Sequence, residues 1–396
     1  MKKKNNQFAL LALAISAFAI GTTEFISVGL LPLIAEDLNI SLPIAGLTVS
    51  IYALGVTIGA PILTSITAAI PRKTLLIWIM IIFIIGNIIA ATAANIGILL
   101  IARLISAFSH GVFMSIGSTI AASLVSQDKR AGAISIMFTG LTVATVTGVP
   151  FGTFLGQQFG WRLAFIAIVV IGIISLISNY FLIPGNMPRG KAIKLTEQFK
   201  LFKQKQLLQL FLITALGYGG TFVVFTFLSP LLQNVTGFKE NTVALLLLVY
   251  GVAIAIGNMT GGKLANKDPL KALFFMFIIQ AAILFILPFS APYKIAGLVT
   301  IMFMGLFAFM NVPGLQSYVV VLAERYVPSA VDVASAVNIA AFNAGIAIGS
   351  YAGGLISDHM GLIHTGWVGG IMVLAAAVLT GSSLKAEKAY HIKVNY

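Results

Sequence analysis

Long apolar runs recur along the chain, each about the length of a bilayer core and separated by short polar or Pro/Gly breaks. Twelve such runs fall at 8–33, 43–66, 74–94, 97–124, 131–157, 163–184, 207–233, 240–264, 270–290, 293–322, 331–356 and 364–384, and each predicts a membrane-spanning helix. The opening MKKKNNQFALLALAISAF has the basic and apolar regions of a signal peptide. Its apolar stretch is too long, and no small-residue cleavage site follows, so it is expected to be the first span.

Composition agrees with that pattern: 59% of the 396 residues are hydrophobic and 9% charged, against roughly 25% charged in soluble domains. Mean hydropathy is +1.03. The expected fold class is therefore all-α integral membrane, with twelve transmembrane helices.

A net charge of +13 raises the possibility of a polyanionic partner. Its distribution says otherwise. Of 24 Lys and Arg, 20 fall on the side that holds both termini, Arg162, Lys239 and Lys294 fall on the other, and Arg103 lies within a span. This asymmetry predicts cytoplasmic termini and needs no nucleic acid. No cysteine is present, and the four histidines are scattered, so neither disulfides nor a metal cluster is expected. There is no Walker loop, and the glycine-rich pieces lie in apolar helices without the strand a dinucleotide fold requires; neither an enzyme nor a cofactor is implied.

The longest polar stretch, 184–206, divides the spans six and six and reads as a cytoplasmic linker with a basic interfacial helix from Leu195. The halves resemble each other. A shift of 198 residues aligns 52–73 with 250–271, placing Tyr52 on Tyr250, Gly59 on Gly257 and Lys73 on Lys271. Glycines four residues apart recur as Gly148, Gly152, Gly156 and as Gly345, Gly349, Gly353. The expected organisation is a six-helix bundle at 1–184, a linker at 185–206, a second bundle at 207–385 and a cytoplasmic tail at 386–396. Two similar bundles around a midplane site are a physical solution to alternating access.

The segments TTEFISVGLLPLIAEDL, ARLISAFSHGVF, GVPFGTFLGQQFGWRLAF and FNAGIAIGSYAGGLI resemble the drug:proton antiporter branch of the major facilitator superfamily, including arabinose-efflux-permease-like and purine-efflux-like exporters. The likeness covers essentially the whole chain. It implies the two-bundle fold, a small-molecule substrate, protons as a second partner, no cofactor, and action as a monomer in the plasma membrane.

Within that resemblance, Gly148, Pro150, Gly152 and Gly156 stand where exporters carry their fifth-helix motif, although Val149 separates the usual Gly-Pro pair. Small residues on one stripe allow close backbone approach, and proline removes a donor. The gating motif after span two survives only as Arg72 and Lys73. Its second copy keeps Gly262 and Lys267, with Asn266 in place of the acid. Both copies therefore lack the acidic latch.

Glu24 lies roughly 24 Å along the first span, and Arg103 roughly 9 Å into the fourth from the opposite end, so their depths nearly match. Ionisable groups inside a membrane are functional hypotheses by default. The resemblance assigns this pair to proton coupling, a static buried ion pair being the alternative.

Further candidate substrate contacts are Tyr52, His110, Tyr218, Phe222, Tyr250, Asn311, Asn338 and Asn343. Aromatics can stack on a planar ligand, while amides and His110 can instead bond neighbouring helices. The expected function is proton-coupled efflux of small drug-like, nucleoside-like or sugar-like compounds. Proton-coupled uptake is the alternative direction. A non-transporting membrane sensor is the alternative class, and it calls for a soluble signalling domain where the chain has only a linker and an eleven-residue tail.

Overall fold

The computed structural model describes residues 2–67, 69–125, 130–185, 201–265, 268–328 and 331–394. Among them the regular structure is helical, and twelve helical stretches are long and apolar enough to cross a membrane, matching the twelve expected spans in order. Helices are what an apolar medium demands, because each backbone N–H and C=O finds its partner within the segment.

The chain divides into two compact units, Met1–Ile193 with Glu240–Leu248, and Lys194–Lys239 with Val249–Tyr396. Residues 186–200 of the expected linker, including the start of the interfacial helix, lie outside the described residues, as does Lys267.

The first unit contains α1 (Lys2–Asp37), α2 (Leu42–Thr67), α3 (Arg72–Ala91) and α4 (Ile96–Ser123). Span five follows as α5 (Arg130–Val143), a π-helical stretch Ala144–Gly148 and α6 (Val149–Phe159), and α7 (Trp161–Leu182) completes the six. The π stretch ends just before Pro150, whose missing N–H interrupts the α ladder there. α1 packs against α5, α6 and α7, while α4 packs against α2 and α3. On α7, Val170, Ile173 and Ile177 repeat at helical spacing and stay exposed, as a lipid-facing stripe requires.

In the second unit α8 (Lys205–Phe225) stops short of the expected 233, giving way to a single turn Leu228–Pro230 and a π stretch Leu231–Val235. The remaining helices are α9 (Glu240–Ala265), which belongs to this unit from Val249 onward, α10 (Pro269–Ser290), α11 (Lys294–Ala308), α12 (Val312–Tyr326), α13 (Val331–His359) and α14 (Thr365–Val394). Span ten is thus broken into α11 and α12 at Phe309–Asn311, next to Pro313. α8 packs against α13 and α14. α14 continues through the expected tail to Val394, and Glu387 ties it to α12 by accepting from Tyr318 Oη at 2.8 Å and Arg325 at 3.1 Å.

The duplication is visible in contacts. A side chain added at Gly59 would run into Phe108, and one added at Gly257 would come within 1.7 Å of the Leu306 carbonyl oxygen. Gly257 and Leu306 stand 198 residues after Gly59 and Phe108. The span five and span eleven stripes also serve the same helix pairs: Gly148, Gly152 and Gly156 face Thr22, Ile26 and Leu30 of α1, whereas Gly345, Gly349 and Gly353 face the backbones of Ala215, Gly219 and Val223 on α8. The turns closing these spans, at Gly160 (φ +88°) and Gly361 (φ +94°), both need the left-handed conformation glycine supplies.

Gly257→Ala is expected to cost about 1–3 kcal/mol, because the new methyl meets backbone that cannot yield. Gly262→Ala has only Pro313 at 3.7 Å to meet and should leave stability unchanged or slightly raised. Thermal unfolding of the two purified variants in detergent checks the contrast.

Candidate functional site

Arg103 on α4 is 1% exposed in an otherwise apolar bundle. A guanidinium there must have its donors met. Its Nε donates to the Thr48 carbonyl of α2 at 3.0 Å, and its two terminal nitrogens donate to the carbonyls of Thr23 at 2.5 Å and Glu24 at 3.1 Å, both on α1. The guanidinium also lies over the Tyr52 ring, 4.1 Å from its centroid. One side chain thereby binds three helices.

Glu24 and Arg103 therefore meet, but through the glutamate's backbone. The Glu24 carboxylate has no hydrogen bond or ion pair among the described residues, although the side chain is only 8% exposed and within Coulombic reach of the guanidinium. The chemistry separates accordingly. Arg103 supplies a positive charge held in a fixed geometry, and Glu24 supplies a carboxylate whose oxygens are uncommitted.

Tyr52 joins a third titratable group to the cluster, its hydroxyl standing 3.2 Å from His110 Nδ1. Glu24, Arg103, Tyr52 and His110 thus form one assembly inside the first unit. Behind it, Thr23 Oγ1 donates to Asn87 Oδ1 at 3.3 Å, and Asn87 Nδ2 donates to the Phe83 carbonyl at 2.8 Å and to Ser106 Oγ at 3.4 Å. Asn87 had a signal in the sequence, being an amide inside an apolar span. The Thr23 and Thr48 acceptors had none, because they are backbone carbonyls.

The second unit gathers the other candidates differently. Tyr218 and Phe222 of α8 pack at 5.0 Å between ring centroids, and Tyr218 sets its ring edge-to-face with Phe309 at 5.2 Å and Phe342 at 4.9 Å. Tyr250 stacks on Phe225 at 5.5 Å. Phe309 and Phe342 carry no sequence signal that separates them from other buried phenylalanines. Beside this cluster the Tyr250 hydroxyl, Asn311 Oδ1 and Asn343 Oδ1 are buried without a hydrogen-bond partner among the described residues. Asn338 is placed otherwise: it accepts from Thr214 at 2.8 Å and donates to Gln316 at 2.9 Å, linking α8, α12 and α13.

The charges are not duplicated. The residues 198 positions after Arg103 and His110 are Ile301 and Ala308, both fully buried. Tyr250 nevertheless keeps the place of Tyr52, packing on Gly305 as Tyr52 packs on Ala107.

Of the gating candidates, Arg72 donates to the Thr119 carbonyl of α4 at 3.2 Å, and Lys73 sits over the Tyr180 ring at 5.5 Å. At the opposite end the exposed Asp37 accepts from Trp161 Nε1 at 3.1 Å and Arg162 at 2.6 Å. Trp161 is 2% exposed, its indole held by this clasp. Among the described residues no group of three or more His, Asp and Glu could hold a metal ion.

Arg103→Lys should destabilise the protein by about 3 kcal/mol, since an ammonium cannot reach three diverging carbonyls and stack on Tyr52 at once. Glu24→Gln should shift stability by less than about 1 kcal/mol, because it breaks no hydrogen bond. Unfolding midpoints in detergent distinguish the two.

A family model described as Major Facilitator Superfamily matches residues 13–327. The chain is 71% identical over 385 residues to the uncharacterized MFS-type transporter YtbD of Bacillus subtilis (strain 168), covering 97% of each. It is 37% identical to the inner membrane transport protein YdhP of Escherichia coli (strain K12), covering 96% of this chain and 97% of that one. Among solved structures, a bacterial homolog to the human lysosomal transporter Spinster, inward-facing and unoccupied, matches with a TM-score of 0.73 at 17% identity, covering 95% of this chain and 96% of that chain. With twelve spans in a duplicated pattern and matches along most of its length, the chain belongs to the Major Facilitator Superfamily of membrane transporters.

Proposed function

We propose that this transporter exports small, partly hydrophobic or polar-aromatic compounds in exchange for protons. The observation that carries the reading is the Glu24 carboxylate, buried in an apolar helix and free of hydrogen bonds among the described residues, beside a guanidinium whose own bonds are all to backbone and ring. A carboxylate so placed changes protonation when the local field changes. Arg103 does not have to move for that to happen. Arrival of a polar or cationic group, or a small displacement of α1, alters the field at Glu24 and couples substrate to proton.

The aromatic cluster of the second unit supports the substrate class. Tyr218, Phe222 and Tyr250 offer ring faces and edges, while the unpartnered Tyr250 hydroxyl, Asn311 and Asn343 oxygens offer polar contacts next to them. Among the described residues of the second unit no buried side chain is charged, which disfavours a multiply charged substrate. Gly148, Gly152 and Gly156 give span five the close packing on α1 that lets these helices slide together, with Pro150 just after its π-helical stretch, and Arg72, Lys73, Gly262 and Lys267 belong to the two copies of the gating motif. The protein acts as a monomer in the plasma membrane, and the lysine and arginine distribution supports both termini in the cytoplasm.

Proteoliposomes with a trapped pH-sensitive dye test the coupling, using ethidium, inosine and arabinose as probes of the three substrate classes under an imposed proton gradient. Wild type is expected to move protons on addition of at least one probe, and Glu24→Gln to lose that flux at least tenfold. Equal flux in the two proteins would make Glu24 structural. Accumulation of the probe along the proton gradient, rather than against it, would establish uptake in place of export.

A further inference from the structure

A concavity of the second unit lies away from the candidate site. It has a volume of about 560 Å³ and opens where α9, α10 and α11 meet. Its walls are apolar, with Leu264, Phe275 and Ile279 half-exposed at 48%, 53% and 42% and Met310 buried at the back. Asp268, the N-cap of α10, and Lys271, in its first turn, stand at its mouth. Thr260, the other polar side chain on the wall, is already satisfied by the Ile256 carbonyl at 2.8 Å, so the interior asks for no polar ligand atom.

Depth and charge together identify an occupant. Along α10 the wall from Asp268 to Ile279 rises roughly 16 Å, about half of the ~30 Å hydrocarbon core and therefore one leaflet. The charged end lies in a loop after an even-numbered span, on the side that carries both termini. Within the described residues, exposed Lys263 and Lys271 outnumber Asp268 there, and the Asp268 carboxylate is turned onto the Lys271 backbone N–H at 3.0 Å. The local excess is positive at the level where lipid phosphates sit. A cavity of this size is within the usual ~300–1,000 Å³ of small-ligand sites.

We infer that this crevice is a specific site for one anionic phospholipid of the leaflet facing the termini, with an acyl chain between Leu264, Phe275 and Ile279 and its phosphate on Lys271. The site is distinct from the Glu24 cluster, and binding there does not depend on proton coupling. Its assignment to the cytoplasmic leaflet rests on the proposed orientation of the termini.

Native mass spectrometry of the intact protein tests this, using detergent micelles supplemented with phosphatidylglycerol or with phosphatidylcholine of the same acyl chains. One retained phosphatidylglycerol per chain is expected, with phosphatidylcholine retained at least fivefold less. Lys271→Gln removes the phosphate partner on an exposed side chain and should lower retention at least fivefold without disturbing the fold. Ala272→Phe, which fills the crevice from its wall, should abolish retention while Lys271 is intact; circular dichroism verifies that this variant is folded. Lys239→Gln, an exposed lysine at the other end of the molecule, should change nothing. Equal retention of the two lipids would reduce the crevice to a generic apolar groove and overturn the inference. Retention that survives Lys271→Gln, or that survives a folded Ala272→Phe, overturns it as well.

Discussion

An arginine buried to 1% exposure among apolar helices has no water to satisfy it, and the local architecture of the first unit follows from meeting its demands. Arg103 requires acceptors for a fork of donors, and it takes them from the backbones of α1 and α2 while stacking on Tyr52. Three helices are held in register by one side chain. Because the acceptors are carbonyls, the carboxylate of Glu24 is not consumed in neutralising the guanidinium. A salt bridge between the two would have been a static pair; the geometry found leaves a charge next to an uncommitted acid.

The second unit repeats the backbone of this arrangement without its charge. Tyr250 packs on Gly305 as Tyr52 packs on Ala107, and the glycine contact of Gly257 with Leu306 mirrors that of Gly59 with Phe108. Where the first unit places Arg103 and His110, however, the second places Ile301 and Ala308, and aromatic rings fill the neighbourhood. Duplication preserved the helix-packing surfaces, which tolerate little change because glycine is the only residue that admits such close approach. The interior side chains differ, so that the first unit holds the Glu24, Arg103, Tyr52 and His110 cluster and the second an aromatic one. Transport by a two-fold scaffold does not require two-fold chemistry.

Polar groups away from these sites serve the packing. Asn338, Thr214 and Gln316 form an interhelical chain, and Glu387 fastens the last helix to α12 through Tyr318 and Arg325. Asp37, Trp161 and Arg162 close the far end of the first unit in the same manner. Each joins separate helices; the Asn338 chain is buried, whereas the two ion pairs are partly exposed to solvent.

Twelve spans, their order, the duplication and the identity of Glu24 and Arg103 as the deep charges were all legible in the amino-acid sequence. They depend on length, hydropathy and the rarity of charge in hydrocarbon, which act locally along the chain. Only the tertiary structure decided how those charges meet. That Arg103 would choose carbonyls of Thr23, Glu24 and Thr48 over the carboxylate, that Tyr52 and His110 would join the same cluster, and that Phe309 and Phe342 would complete the aromatic one depends on helix rotation and on residues 55 to 124 positions apart. Backbone acceptors are identical at every position, and a buried phenylalanine looks alike wherever it stands. Such partners acquire their identity only when the helices are packed.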